Sequence, residues 1–103
     1  SRVQKFDSEG NFITKWGTPG SGDGQFIRPG DVAVDSEGNT YVTDQGNSRV
    51  QKFDSEGNFI TKWGTKGSGE GQFTDPLGIA LDTSGNVYVV DAGNSRIQVF
   101  APS

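Results

Sequence analysis

The sequence predicts an all-β fold made of four-stranded antiparallel sheets that recur about twice along the chain, and three observations carry that expectation. RVQKFDSEGNFITKWG occurs letter for letter at residues 2–17 and again at 49–64. The runs between turn residues are short and rich in β-branched and aromatic side chains. No segment shows the apolar periodicity of a helix, and glycine and proline recur too often for a helix of ordinary length.

The repeat comes first because it sets the frame for every other residue. Arg2, Arg49 and Arg96 are spaced by 47 residues, and 34 of 47 positions are identical between residues 2–48 and 49–95. A third copy, RIQVF, stops at Phe100. The whole of 1–103 therefore reads as one unit of two repeats and a partial third at 96–100. The identity extends to Ser8, Glu9 and Lys15, positions expected to face solvent, where drift is nearly free. A very recent duplication or a deliberate one accounts for that. The absence of methionine among 103 residues points to a processed, excised or engineered chain.

Within one period the expected strands are VAVD (32–35), TYVTD (40–44), RVQKF (49–53) and FITKW (59–63). DSEGN at 35–39 and 54–58 separates them, with Gly38 and Gly57, like Gly10 and Gly85, late in a type I turn where positive φ is needed. DQGNSR (44–49) is the third reversal. One such meander cannot bury both faces; stacked neighbours can.

Composition narrows the function classes. A chain of 103 residues with 30% hydrophobic residues and 16 glycines has a thin core, while 11% aromatic content keeps it out of the disordered class. Net charge is −4 and the nine Lys and Arg residues never cluster, so nucleic acid and anionic membranes are not the expected partners. With no cysteine and no histidine there is no disulfide framework, no Ser-His or Cys-His nucleophile, and none of the usual zinc or iron ligand sets. No run is apolar enough to span a bilayer, and nothing indicates a compartment.

DPLGIALDTSGNVYVVDAGNSRIQVF (75–100), preceded by GSGEGQF (67–73), resembles an NHL repeat: a GQF-type lead, a proline, a Gly-Ile-Ala-Val-Asp strand, a Gly-Asn turn, a Tyr-Val strand ending in Asp, and Asn-x-Arg-Ile-Gln-x-Phe. The resemblance runs in register over the whole chain. It implies a β-propeller in which each repeat is a four-stranded blade, most often six to a ring. VAVD and IALD become inner strands, YVTD and YVVD second strands, RVQKF and RIQVF third strands, and FITKW the outer edge. The chain then begins and ends in mid-blade. One departure stands out: PGDVAVD (29–35) places Asp31 where the family has glycine, which makes that strand entrance either strained or differently bonded.

Candidate chemistry is sparse. Asp44, Asn47 and Arg49, with Asp91, Asn94 and Arg96, form the most catalytic-looking set, and the resemblance favours a structural network bonding the loop between second and third strands. DSEGN is rich in oxygen but lacks the EF-hand spacing, so a turn with solvated side chains is expected in place of a calcium loop. No spacing brings carboxylates together in the manner of a glycosidase. GTPGSGDG (17–24) and GTKGSGEG (64–71) lack the Gly-Lys-Ser/Thr and helix of a phosphate loop and read as flexible crossovers, anchored between blades by Phe26 and Phe73. Trp16 and Trp63 are expected to cover blade flanks, with sugar or base stacking as the alternative. No catalytic residue, cofactor or metal is expected.

Three function classes follow. The first is a self-assembling propeller fragment, engineered or excised, acting as a scaffold whose partner is itself. The second is a natural NHL module for a protein or peptide ligand; some relatives bind RNA, which the net charge disfavours here. The third is a hydrolase or lyase, and the peptide-amidating lyases of this fold depend on histidines and a metal. Two blades per chain and six per ring predict a homotrimer. In the joint blade two copies of the third strand, 2–6 and 96–100, compete for one place. Val99 against Lys5 favours the C-terminal copy, and the tight hairpin to 12–17 favours the N-terminal one, the choice adopted from sequence.

Overall fold

A computed structural model describes residues 2–102. The chain opens with a hairpin of β1 (Val3–Phe6) and β2 (Phe12–Trp16). A crossover follows in which β3 (Thr18–Pro19) and β4 (Gln25–Phe26) make a short parallel pair. Next comes a complete meander of β5 (Pro29–Val34), β6 (Thr40–Asp44), β7 (Arg49–Phe53) and β8 (Phe59–Trp63), with a 3₁₀ turn at Gln45–Asn47. The second crossover repeats the parallel pair as β9 (Thr65–Lys66) and β10 (Gln72–Phe73). A three-stranded sheet of β11 (Pro76–Leu81), β12 (Val87–Asp91) and β13 (Arg96–Phe100) ends the chain, with a 3₁₀ turn at Ala92–Asn94. The three main sheets thus hold two, four and three antiparallel strands.

Strand order and register follow the repeat, with one difference at the inner strands. These begin at the prolines, Pro29 and Pro76, and the chain bulges before Val32 and before Gly78. Sequence reading began the strand at Val32 because Pro-Gly-Asp carries no β signal; the extra residues pair because β6 and β12 extend alongside them. Asp35 leaves the strand for the turn.

The four turns repeat one design. In each, the glycine N–H donates to the carbonyl of the aspartate three residues earlier (3.0–3.1 Å), and Gly10, Gly38, Gly57 and Gly85 have φ of 85° to 89°. That conformation disfavours any residue with a Cβ.

The sheets pack face to face through two apolar clusters. Tyr41 and Val50 of the four-stranded sheet meet Phe73, Ile79, Val87 and Val89, with Trp63 and Phe100 alongside. On the opposite face Phe26, Val42 and Phe53 pack with Val3, Trp16 and Phe59. Phe26 and Phe73 are fully buried in these gaps, each contributing about 1.5–3 kcal/mol of apolar transfer. Trp16 and Trp63 lie against Phe53 and Phe100 at 5.7 and 5.5 Å between ring centroids.

Candidate functional site

The polar set singled out by sequence converges at the ends of β6 and β7. Asp44 closes β6, and the 3₁₀ turn, left through Ser48 at φ 53°, returns the chain so that Arg49 lies opposite it. The Asp44 carboxylate accepts from the Ile27 N–H (2.8 Å), Asn47 Nδ2 (2.9 Å) and Arg49 Nε (2.8 Å). Arg49 spends its other nitrogens on backbone: Nη1 donates to the Ser21 carbonyl, and Nη2 to those of Gly22 and Gln25. Asn47 donates to the Gly20 carbonyl. The glycine-rich crossover, expected to be flexible, is therefore tied to the sheet that follows it, because a short loop of small residues leaves its carbonyls open to an arginine fork.

Sequence reading missed two glutamines in this clamp. Gln51 donates to the Gln25 carbonyl (2.7 Å) and accepts from the Gly24 N–H (2.9 Å), while Gln25 accepts from the Gly22 N–H (2.8 Å). Their signal was present: Gln4, Gln51 and Gln98, and Gln25 and Gln72, recur at the repeat spacing.

Asp91, Asn94 and Arg96 build a second clamp. Asp91 accepts from the Thr74 and Asp75 N–H groups (3.0 Å each) and from Asn94 (2.7 Å). Arg96 donates to the Ser68, Gly69 and Gln72 carbonyls, and Gln98 to Gln72. The Arg96 Nε, however, stands 3.5 Å from Asp91 and is buried with no hydrogen-bond partner among the described residues. Burial would raise the Asp91 pKa; the Asp75 N–H, Asn94, the Thr74 N–H and the Arg96 charge outweigh it and hold the carboxyl below its ordinary value. An aspartate saturated with donors is poor as a base or nucleophile.

At the entrance of the first inner strand the Asp31 departure is differently bonded. Asp31 Oδ1 accepts from the Val32 N–H (2.9 Å) and Oδ2 from the Ile79 N–H of the next sheet (3.1 Å). Thr43 Oγ accepts from the Asp31 N–H (2.8 Å) and donates to the Leu77 carbonyl (3.2 Å). These bonds latch the inner edges of two sheets together. The matching positions of the second repeat, Gly78 and Val90, carry no such groups. Strain is also present one turn earlier, where Arg28 adopts φ 55°.

The turn aspartates serve their own loops. Asp7 Oδ1 accepts from the Glu9 and Asn11 N–H groups (2.9 Å each), and Asn11 Nδ2 donates to Oδ2 (3.2 Å); Asp35, Asp54 and Asp82 repeat this. The Asp and Asn side chains are thus engaged by their own turns, while Glu9, Glu37 and Glu56 are exposed, as expected. Backbone and side-chain donation from the turn asparagine holds Asp7 and Asp54 below the ordinary carboxylate value. Asn86 leads at Asp82, and at Asp35 the same donors overcome the effect of burial. Among the described residues no three acidic side chains gather as a metal site would require.

The open features are apolar. Phe6 and Phe12 of the opening hairpin are exposed, as are Val32 and Val34 of β5 and, on one face of the last sheet, Tyr88, Val90, Ile97 and Val99. Residues 26–53 and 73–100, more than half of the chain, each match the family model described as the NHL repeat. Each match starts at a buried crossover phenylalanine and runs to the end of a third strand, taking in the Asp, Asn and Arg of one clamp. No curated protein matches the chain.

Proposed function

The chain belongs to the NHL-repeat family, whose repeats build β-propeller-type binding and scaffold modules, and from that premise we propose that it is a self-assembling propeller segment without catalytic activity. Three copies close head to tail into a six-bladed ring. One observation carries this reading: the chain has a complete blade in the middle and complementary partial blades at its ends, a hairpin holding third and fourth strands and a sheet holding first, second and third. The apolar faces of both partial blades are bare, a state that a lone chain in water pays for in exposed surface and unpaired strand edges.

A heterologous contact between unlike ends closes into a ring when the rotation per copy divides the circle. The occupied clamps support the scaffold role over an enzymatic one, since Asp44 and Arg49 have their bonding capacity taken up by the crossover. Identity of the two copies at exposed Ser8 and Glu9 supports an engineered or very recent duplication. Light scattering coupled to size exclusion tests assembly: a species of about three times the 11.0 kDa chain mass is expected. A dimer, a tetramer or a monomer at micromolar concentration overturns the six-blade ring.

A further inference from the structure

In the complete blade, β8 lies against β7 with Val50 opposite Trp63, Gln51 opposite Lys62, Lys52 opposite Thr61 and Phe53 opposite Phe59. The hairpin holds β2 against β1 in the same register: Val3 with Trp16, Gln4 with Lys15, Lys5 with Thr14, Phe6 with Phe12. β13 is the third copy of that strand, and among the described residues its outer edge has no neighbour. In a ring, the same edge of β2 is therefore claimed by its own β1 and by β13 of the adjacent copy. A strand edge accepts one partner.

Loop closure does not decide between them. β1 is tethered to β2 by a tight five-residue turn, but β13 is tethered just as closely to β12 by the Asp91–Asn94 turn, with all five residues paired. Ladder and clamp are also equivalent, because Arg2 and Gln4 carry the same groups as Arg96 and Gln98. What differs is two side chains. Ile97 stands in place of Val3, and Val99 in place of Lys5. Both project onto the flank that the next copy must cover; in the complete blade the first position is the fully buried Val50 and the second the half-buried Lys52, over the Tyr41 ring. The larger apolar group at the fully buried position favours β13.

Resting on the ring reading above, we infer that β13 keeps its place as third strand of the joint blade and that β2 of the neighbouring copy leaves β1 and pairs with β13. The register is that of β7 and β8: Ile97 opposite Trp16, Gln98 opposite Lys15, Val99 opposite Thr14 and Phe100 opposite Phe12. A groove of about 310 Å³ bordered by Thr61, Trp63 and Phe100 lies beside this edge. It receives Phe12, as Trp16 and Phe53 already receive Phe59. β1 is a displaced strap in the ring, the reverse of the strand that hairpin closure alone selects.

The chain has no cysteine, so one engineered pair reports cleanly. After oxidation of Thr14→Cys/Val99→Cys, the expected product under denaturing, non-reducing conditions is a covalent trimer of linked chains. Gln4→Pro, which disrupts only β1, is expected to keep the parent's mass in solution, whereas Gln98→Pro is expected to lose it. Unlinked chains from a variant that is trimeric in solution overturn the strand assignment and leave the ring standing. Loss of assembly in Gln4→Pro, or its retention in Gln98→Pro, does the same. A monomeric parent overturns the ring itself, and this inference with it.

Discussion

The complete blade and the open one are built from nearly the same residues, yet they are not equally finished. Arg49 is 8% exposed and meets Asp44 at 2.8 Å; Arg96 is 29% exposed and stands 3.5 Å from Asp91. Val50 is 0% exposed, whereas Ile97, its copy in the next sheet, is 64% exposed. The difference lies in what covers each sheet. β8 and a packed neighbour close over the first, and nothing closes over the second, so identical chemistry is tightened only where the next layer is present.

The sharpest way to break this comparison is to remove the aspartate from each clamp. Asp44→Ala leaves a buried guanidinium and the Ile27 N–H without their acceptor, and a loss of about 3–5 kcal/mol is expected in urea unfolding at fixed protein concentration. Asp91→Ala should lose less, because Arg96 is 29% exposed and its Nε makes no hydrogen bond to Asp91. Equal losses would mean that coverage does not set the strength of the clamp. Arg49→Ala should likewise exceed Arg96→Ala.

A second test uses two turn glycines with the same backbone and different surroundings. At Gly57 (φ 89°) a Cβ would lie 2.7 Å from the Trp16 ring, while at Gly10 (φ 87°) it would meet open space. Valine at either position incurs roughly 1–2 kcal/mol from the left-handed conformation. Gly57→Val should therefore destabilise by more than Gly10→Val in thermal melts, and a reversed order would show that the hairpin does not pack on that turn.

Making the first strand entrance resemble the second should have a smaller effect. Thr43→Val and Asp31→Gly install the residues found at 90 and 78 and are each expected to cost about 1 kcal/mol, since valine fills the place of the fully buried Thr43 and water can replace the bonds of the exposed Asp31. No change in either melting temperature would mean that the latch is unimportant to the packing of the two sheets.

Acid should reveal the gentlest contrast. Asp7, Asp35, Asp54, Asp82 and Asp91 all have lowered folded pKa values. Their contribution is complete above the unfolded value of about 3.9 and is lost as pH falls below it through the folded values. The melting temperature should be level near neutrality and drop below about pH 4. Asp54→Asn should flatten part of that drop; a melting temperature that rises on acidification would contradict the turn bonding.

Some of the site was legible in the sequence alone. Asp44, Asn47 and Arg49 stand close in sequence and return at a fixed spacing, and the turn glycines sit at fixed places in DSEGN. Gln51 and Gln25 recur just as regularly but lacked a chemical reason to be noticed, because both bond backbone groups of the crossover: Gln25 the nearby Gly22 N–H, and Gln51 the Gly24 N–H and Gln25 carbonyl about two dozen residues away. The Asp31 bond to Ile79 was not readable at all. It joins residues one repeat apart, and only the packing of one inner strand on the next brings them within reach. The compensation beside it was equally hidden: a Cβ on Gly30 would collide with Gln45, and the second repeat exchanges that pair for Leu77 and Ala92.

By itself the sequence determined the period, the central part of each main strand and the turns, because each rests on local conformational preference and neighbouring residues. It could not determine what any copy buries. Phe6 and Phe53 occupy the same place in an identical sixteen-residue stretch, yet Phe6 is 51% exposed and Phe53 is 1% exposed. Tertiary structure alone decided that, since burial belongs to the layer a residue meets across the gap between sheets, and no stretch of sequence contains its own neighbour.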